Sequence, residues 1–310
     1  MSDPEIDRFK QLVAAFESCP GWVPYVRGLN EISPIRRDLG HKMLEWAEQS
    51  LGASWPTILA EGYVAFVADV NRSQMRYEIT GKYQNTNYSE VFSSVYGNEE
   101  FMRYYHWGVY VSTFAWAHHY DLVKFFKDRF IEKHLAPSEA KNIVDLGCGS
   151  GVWSFLTLAS SPYLSSTGID ISETSVRHTK RMSQAIGYGE RFRIQCGDAN
   201  TWGESNGDCY EGGISCFLLE HLESPINLLI NLARLIRPRG VAFVTCALTA
   251  AETDHIKEFR RESELIEMAE RAGFRVIEIL SASPPGHRSD SRFLPRSLAM
   301  ILSKRASEVW

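Results

Sequence analysis

Three aspartates stand where they could hold one small molecule: Asp145 in NIVDLGCGSGVWS, Asp170 in TGIDIS and Asp198 in CGDAN. Each lies at or just beyond the end of a short hydrophobic run of the kind that forms a buried strand. In an open α/β sheet all three would arrive at the carboxyl edge, where such folds bind ligands. Gly147, Gly149 and Gly151 follow the first acid and mark a tight turn into a helix. Their G-x-G-x-G spacing differs from the G-x-G-x-x-G that frees helix amides for a pyrophosphate. An acid at the mouth of that turn would repel a phosphate, and it suits a ligand with ammonium and sulfonium centres. Asp170 is placed to accept both hydroxyls of a ribose, and Asp198 to accept from an adenine amino group.

Histidines supply the second kind of chemistry, since a positioned imidazole can take a proton from a reacting group. His221 lies in LLEHL after the expected fourth strand, and His255 follows Asp254 in AAETDHIKEF. The carboxylate beside His255 is expected to raise its basicity; the competing reading is an exposed cap at a helix start. His118 and His119 sit on an aromatic-rich helix, where a histidine is more often a satisfied core residue than a base. Tyr105, Trp107, Trp116 and His119 are expected to wall a pocket for a small organic molecule, the alternative being interdomain core. A metal between His221 and His118 or His119 is conceivable, but no ligand spacing supports it, and none is expected.

These groups need a scaffold, and the texture of the chain provides one. Strand-like runs fall at 142–146, 166–171, 191–196, 213–218, 240–246, 274–280 and 298–303, with helical stretches in most gaps. That pattern predicts an α/β fold with a doubly wound, Rossmann-like seven-stranded sheet. The last strand follows a loop rather than a helix, so it is expected to insert antiparallel as a hairpin with the sixth. DHIKEFRRESELIEMAERAGF reads as a helix closed by Gly273. Residues 5 to 95 read as helical segments punctuated by SCPGWVP, NEISP and GASWP, with a short hairpin around Thr80-Gly81. Residues 101–135 carry aromatics on nearly every face, as a helix buried on several sides would. The chain thus divides into a mostly helical N-terminal domain, 1–135, and a second domain, 136–310, with APSEAK as the linker.

At these residues the chain resembles the class I S-adenosylmethionine-dependent methyltransferases, from about residue 120 onward. VDLGCGSG, GIDIS and GDA look like the family's first three motifs, and YEGGISCFLLEHLESP like its fourth. LARLIRPRGVAFVT and AERAGFRVIEI look like the elements beyond. The chain departs from the pattern at Glu211, usually Asp, and at Arg239, often Gly. The resemblance implies S-adenosylmethionine as cofactor. It assigns the methionine part to Asp145 and the turn of Gly147, Cys148, Gly149 and Gly151, and the ribose to Asp170. Ile171 would pack on the adenine, whose edge would meet Asp198 and Ala199.

Composition narrows the acceptor. With 33 basic against 38 acidic side chains and a net charge of -5, no global field attracts nucleic acid or an anionic membrane. No run reaches the ~18 apolar residues of a membrane span. The six cysteines form no metal-type pair, as expected of reduced thiols in a cytoplasmic protein. MSDPEIDRFK lacks the apolar core of a secretory signal. The leading expectation is methylation of a small molecule at O, N or C, in specialised metabolism, with the helical domain as lid or homodimer arm. RNA or protein methylation rests on the basic stretch HRSDSRFLPRS. A third reading keeps the cofactor pocket for a non-methylating role.

Overall fold

Seven strands form a single sheet in the order β3-β2-β1-β4-β5-β7-β6. They are β1 Lys141–Leu146, β2 Leu164–Asp170, β3 Phe192–Cys196, β4 Tyr210–Cys216, β5 Ile236–Leu248, β6 Phe274–Ala282 and β7 Arg296–Lys304. Strands β1 to β5 pair in parallel, and β7 lies antiparallel between β5 and β6, as its loop connection requires. The order reverses between β1 and β4, which opens a crevice at their carboxyl ends. In this computed structural model residues 8–19, 34–136, 138–203, 207, 209–286 and 292–305 are described. SCPGWVP and NEISP therefore fall mostly outside the described residues, as does 287–291 of the basic stretch.

The central strands are apolar on both faces, and successive side chains join different cores. Along β5, Val241 and Phe243 pack with the N-terminal helices, whereas Ala242, Val244 and Cys246 join the layer on the other side. On β7, Ala299 and Ile301 face the first layer, and Leu298, Met300 and Leu302 the second. The first layer is continuous with the helical part: Phe16, Trp46, Trp55 and Phe114 belong to the same cluster as Phe155 and Phe243. No helix among the described residues is long and apolar enough to cross a membrane.

The N-terminal helices are α1 Arg8–Glu17, α2 Pro34–Leu51, α3 Trp55–Thr80, a short α4 Tyr88–Val91, α5 Glu99–Ala115 and α6 Ala117–Phe125. The hairpin expected around Thr80-Gly81 is replaced by the last turns of α3, which ends at Gly81 in a left-handed conformation (φ 71°). Its alternation is only apparent: Tyr77 is buried, stacked on Phe293 at 4.1 Å, while Ile79 is exposed on the other side of the helix. The aromatic stretch is interrupted at Trp116 (φ −88°, ψ 126°) and winds as a wider π-type helix over Phe126–Leu135. The helix expected from Asp254 begins only at Glu262, because Asp254, His255 and Phe259 are drawn into the interior as an irregular loop.

Both departures from the resembled pattern lie away from the crevice. Arg239 has φ 67°, a left-handed position costing a non-glycine residue about 1–2 kcal/mol, which explains the usual glycine. Glu211 accepts from the Asn142 amide at 2.7 Å and pairs with Arg237.

Glu278 on β6 gathers Arg129, Lys133 and His134 of the π-type helix at 2.6, 2.7 and 2.6 Å. Hydrogen bonds from Arg129 and Lys133 hold its carboxyl down to about 2, from 4.5. A depressed acid stabilises the fold above its unfolded value, and that stability is lost as pH falls through the folded one. Glu278→Gln is therefore expected to lower Tm by roughly 1–4 °C at pH 7. The difference from wild type should shrink as the scans are repeated from pH 5 down toward pH 2.

Candidate active site

The glycine turn bends because all three glycines adopt left-handed backbone, with φ 73° at Gly147, 50° at Gly149 and 77° at Gly151. A Cβ on Gly147 would meet Leu218 at 2.5 Å and one on Gly151 would meet Thr179 at 2.5 Å, whereas Gly149 faces open space. Asp170 ties the turn to the end of β2. Its Oδ2 accepts from the Gly149 amide at 2.8 Å and its Oδ1 from the Ser172 amide at 2.9 Å. Burial pushes this carboxyl upward despite those bonds. Asp198 is exposed, and its Oδ1 accepts from the Asn200 amide and side chain at 2.9 Å each.

One cavity of about 960 Å³ runs from this turn to the underside of the helices. Gly147, Cys148, Gly149, Asp170, Ile171, Asp198 and Ala199 line one end. Asp145 and Gly151 do not line it. Asp145 is 1% exposed and accepts from Ser154 Oγ at 2.7 Å beneath the turn, where burial raises its carboxyl to about 7. The expected direct contact of Asp145 with a ligand is thus corrected: two of the three acids share the cavity, and the third supports the turn.

The other end is aromatic above and polar below. Tyr105, Trp116 and His119 line it together with Phe66 and Phe217. Trp116 stacks on Phe66 at 5.7 Å and donates from Nε1 to the Tyr63 hydroxyl at 2.9 Å, so its ring is fixed edge and face. His118 is also at the wall, pushed down to about 4 by burial. Trp107 is not in the wall. It is 2% exposed and packs against Tyr110 and against His178 of the helix Glu173–Ala185. It is core, and Trp107→Ala is expected to cost about 3–5 kcal/mol in denaturant unfolding, with ligand affinity of the folded protein unchanged.

His221 and His255 meet at the polar floor with ring centroids 4.8 Å apart. His221 sits on the 3₁₀ turn Leu219–His221 after β4, its Nδ1 3.1 Å from the Tyr96 hydroxyl and 3.3 Å from the Asp254 carboxylate. Tyr96 donates to Asp254 at 3.1 Å. His255 is 2% exposed, so it is no surface cap, and its Nδ1 donates to the Ala250 carbonyl at 2.8 Å. Its basicity is lowered, to about 4, contrary to expectation: burial and the adjacent His221 outweigh Asp254. Asp254 itself stays below the usual carboxylate range, since the pull of His221 and His255 overcomes its burial.

Tyr96, Glu220 and Glu252 also line this floor, and sequence reading did not single them out. Glu220, adjacent to His221, and Glu252, three positions before His255, carried a signal. The helices are tied to the loop bearing His255 by polar bonds. Gln74 accepts from the Ala251 amide at 2.8 Å, Thr253 donates to Asp69 at 2.6 Å, and Tyr77 donates to Glu258.

Residues 143–240 match the family described as methyltransferase domain. A ubiquinone biosynthesis O-methyltransferase of Coxiella burnetii is 26% identical over 171 residues, covering 49% of this chain and 70% of the relative. An O-methyltransferase of Pyrenophora dematioidea is 24% identical over 156 residues, covering 46% and 58%. Among solved structures, the MccD protein superposes with a TM-score of 0.50 at 11% identity, covering 60% of this chain and 96% of that one, a likeness of fold.

Proposed function

The sheet-forming part of the chain belongs to the class I S-adenosylmethionine-dependent methyltransferases, and from that premise we propose that it methylates an oxygen of a small organic acceptor held beneath the N-terminal helices. The observation that carries this reading is the continuity of the cavity. A single space of about 960 Å³ joins the Asp170–Asp198 end to the His221–His255 end, at the upper limit of a one-ligand pocket. Two ligands can therefore meet end to end.

In this reading Asp170 receives the ribose hydroxyls, Ile171 packs on the adenine, and Asp198 with Ala199 faces its edge. The turn of Gly147, Cys148 and Gly149 lies along the methionine part. The acceptor lies among Tyr105, Trp116 and His119. S-adenosylmethionine, when bound, would supply an activated methyl group and leave as S-adenosylhomocysteine, and these walls would hold the acceptor oxygen in line with that methyl. Near-attack positioning supplies up to about 7–11 kcal/mol of such a displacement. The proton of the acceptor oxygen passes to an Nε2 of the imidazole pair, whose Nδ1 atoms face the Ala250 and Asp254 carbonyls. Oxygen is favoured over nitrogen or carbon by the two relatives named as O-methyltransferases, and a compact aromatic-walled pocket suits a specialised metabolite. A homodimer through the helical region is part of the same proposal.

The test is formation of S-adenosylhomocysteine with a panel of hydroxylated aromatic and aliphatic acceptors, with products read by mass for one added methyl group. Absence of S-adenosylmethionine binding in calorimetry would refute the reading outright.

A further inference from the structure

Glu220, His221 and His255 form a set of donors that methyl transfer alone does not require. Each offers one atom, and the three atoms lie within 4.8 Å of one another. All three residues line the cavity and are 0%, 5% and 2% exposed. Both rings are held from behind through Nδ1, His255 by the Ala250 carbonyl and His221 by the Asp254 carbonyl and carboxylate. Each ring keeps Nε2 for another partner, the way metal-bound histidines are oriented by a carbonyl or carboxylate on the far nitrogen. Glu220 is held likewise. Its Oε1 accepts from the Ala247 amide at 3.0 Å, while Oε2 has no hydrogen-bond partner, a costly state for a fully buried carboxylate oxygen. Glu252 adds a further carboxyl group nearby, with its Oε2 4.0 Å from His255 Nε2.

We propose that Glu220, His221 and His255 bind a divalent transition-metal ion at the acceptor end of the cavity. Two imidazoles and one carboxylate suit zinc, manganese or iron rather than calcium, and leave coordination positions open. Donors about 2.0–2.2 Å from an ion stand at most about 4.4 Å apart, so these side chains close by a few tenths of an ångström to grip it. The open positions face the cavity, where an ionised acceptor oxygen would complete the shell. That last role rests on the methyl-transfer reading; the ion's site does not. The ion would then favour the ionised acceptor, whose proton would pass to solvent, and the imidazoles would hold the ion instead of taking that proton themselves.

The full-length protein, stripped with a chelator, is titrated with cobalt(II), followed by its visible absorption, and with zinc(II) as competitor. One equivalent per chain is expected, displaced by zinc. His255→Gln and Glu220→Gln are each expected to weaken cobalt binding roughly a hundredfold or more, and Asp254→Asn, which orients His221, about ten- to a hundredfold. Calorimetry with S-adenosylhomocysteine on the same proteins reports folding and is expected to shift by about twofold at most. No stoichiometric uptake by wild type, or equal uptake by folded His255→Gln and Glu220→Gln, overturns the site. Cobalt binding without S-adenosylhomocysteine binding would leave the site standing and overturn the methyl-transfer reading.

Discussion

Replacing Asp170 by alanine is expected to weaken S-adenosylhomocysteine binding by about 1.5–3 kcal/mol, roughly 10- to 150-fold, the scale of hydrogen bonds to a charged group. Each carboxylate oxygen already accepts one backbone amide, from Gly149 or from Ser172. Each retains a further lone pair for a hydroxyl of the ligand. With the ribose at Asp170, the substitution would remove two ligand bonds, and it also frees the Gly149 amide, slackening the turn. Asp170→Asn is the informative companion, because it preserves shape while setting an amide donor against one of those backbone N–H groups. Titration calorimetry measures both, and an unchanged dissociation constant for Asp170→Ala would mean that the ribose lies elsewhere.

Turnover, rather than affinity, is expected to collapse in His221→Ala and His255→Ala, each by roughly 10²- to 10⁴-fold, the range for loss of a positioned proton-handling group. Cofactor affinity should stay nearly intact, because Asp170 is held by the Gly149 and Ser172 amides and not by either histidine. The two rings touch and share Asp254 as neighbour, so their losses are expected to be less than additive in the double variant. Since burial and His221 push His255 down to about 4, acidifying through the ordinary histidine range leaves its ring neutral. Steady-state rates with a saturating acceptor check these expectations, and normal turnover in both single variants would return the histidines to scaffolding.

The sheet was legible because its strands are apolar, short and separated by turn chemistry, and even the antiparallel placement of β7 followed from a missing helix. The motif residues at the carboxyl ends were legible for the same reason. Side-chain direction was harder. Asp145 shares a strand face with Ile143, by the two-residue period, and points under the helix Val152–Ser160 to Ser154 instead of into the crevice. Trp107 and Trp116 sit on one aromatic stretch, and only the break at Trp116 turns one toward the cavity and leaves the other in the core. The charged run from Asp254 reads as helix locally, yet burying Asp254, His255 and Phe259 against the strands overrides that propensity. Tyr96 gave no local sign, because its role depends on His221 and Asp254, more than a hundred positions away, being brought beside it.

The ion cluster on Glu278 has a bearing on how copies of this protein can meet. With β7 enclosed, β6 is one rim of the sheet, and its ladder is offset between Val276 and Glu278 where Arg129, Lys133 and His134 crowd over it. The opposite rim, β3, is five residues long and exposes Arg193 and Gln195. Short, kinked and charged borders make poor templates for an additional strand. Self-association by continuing the sheet from one molecule into the next is thereby discouraged, and a symmetric pair would have to join through helical surfaces.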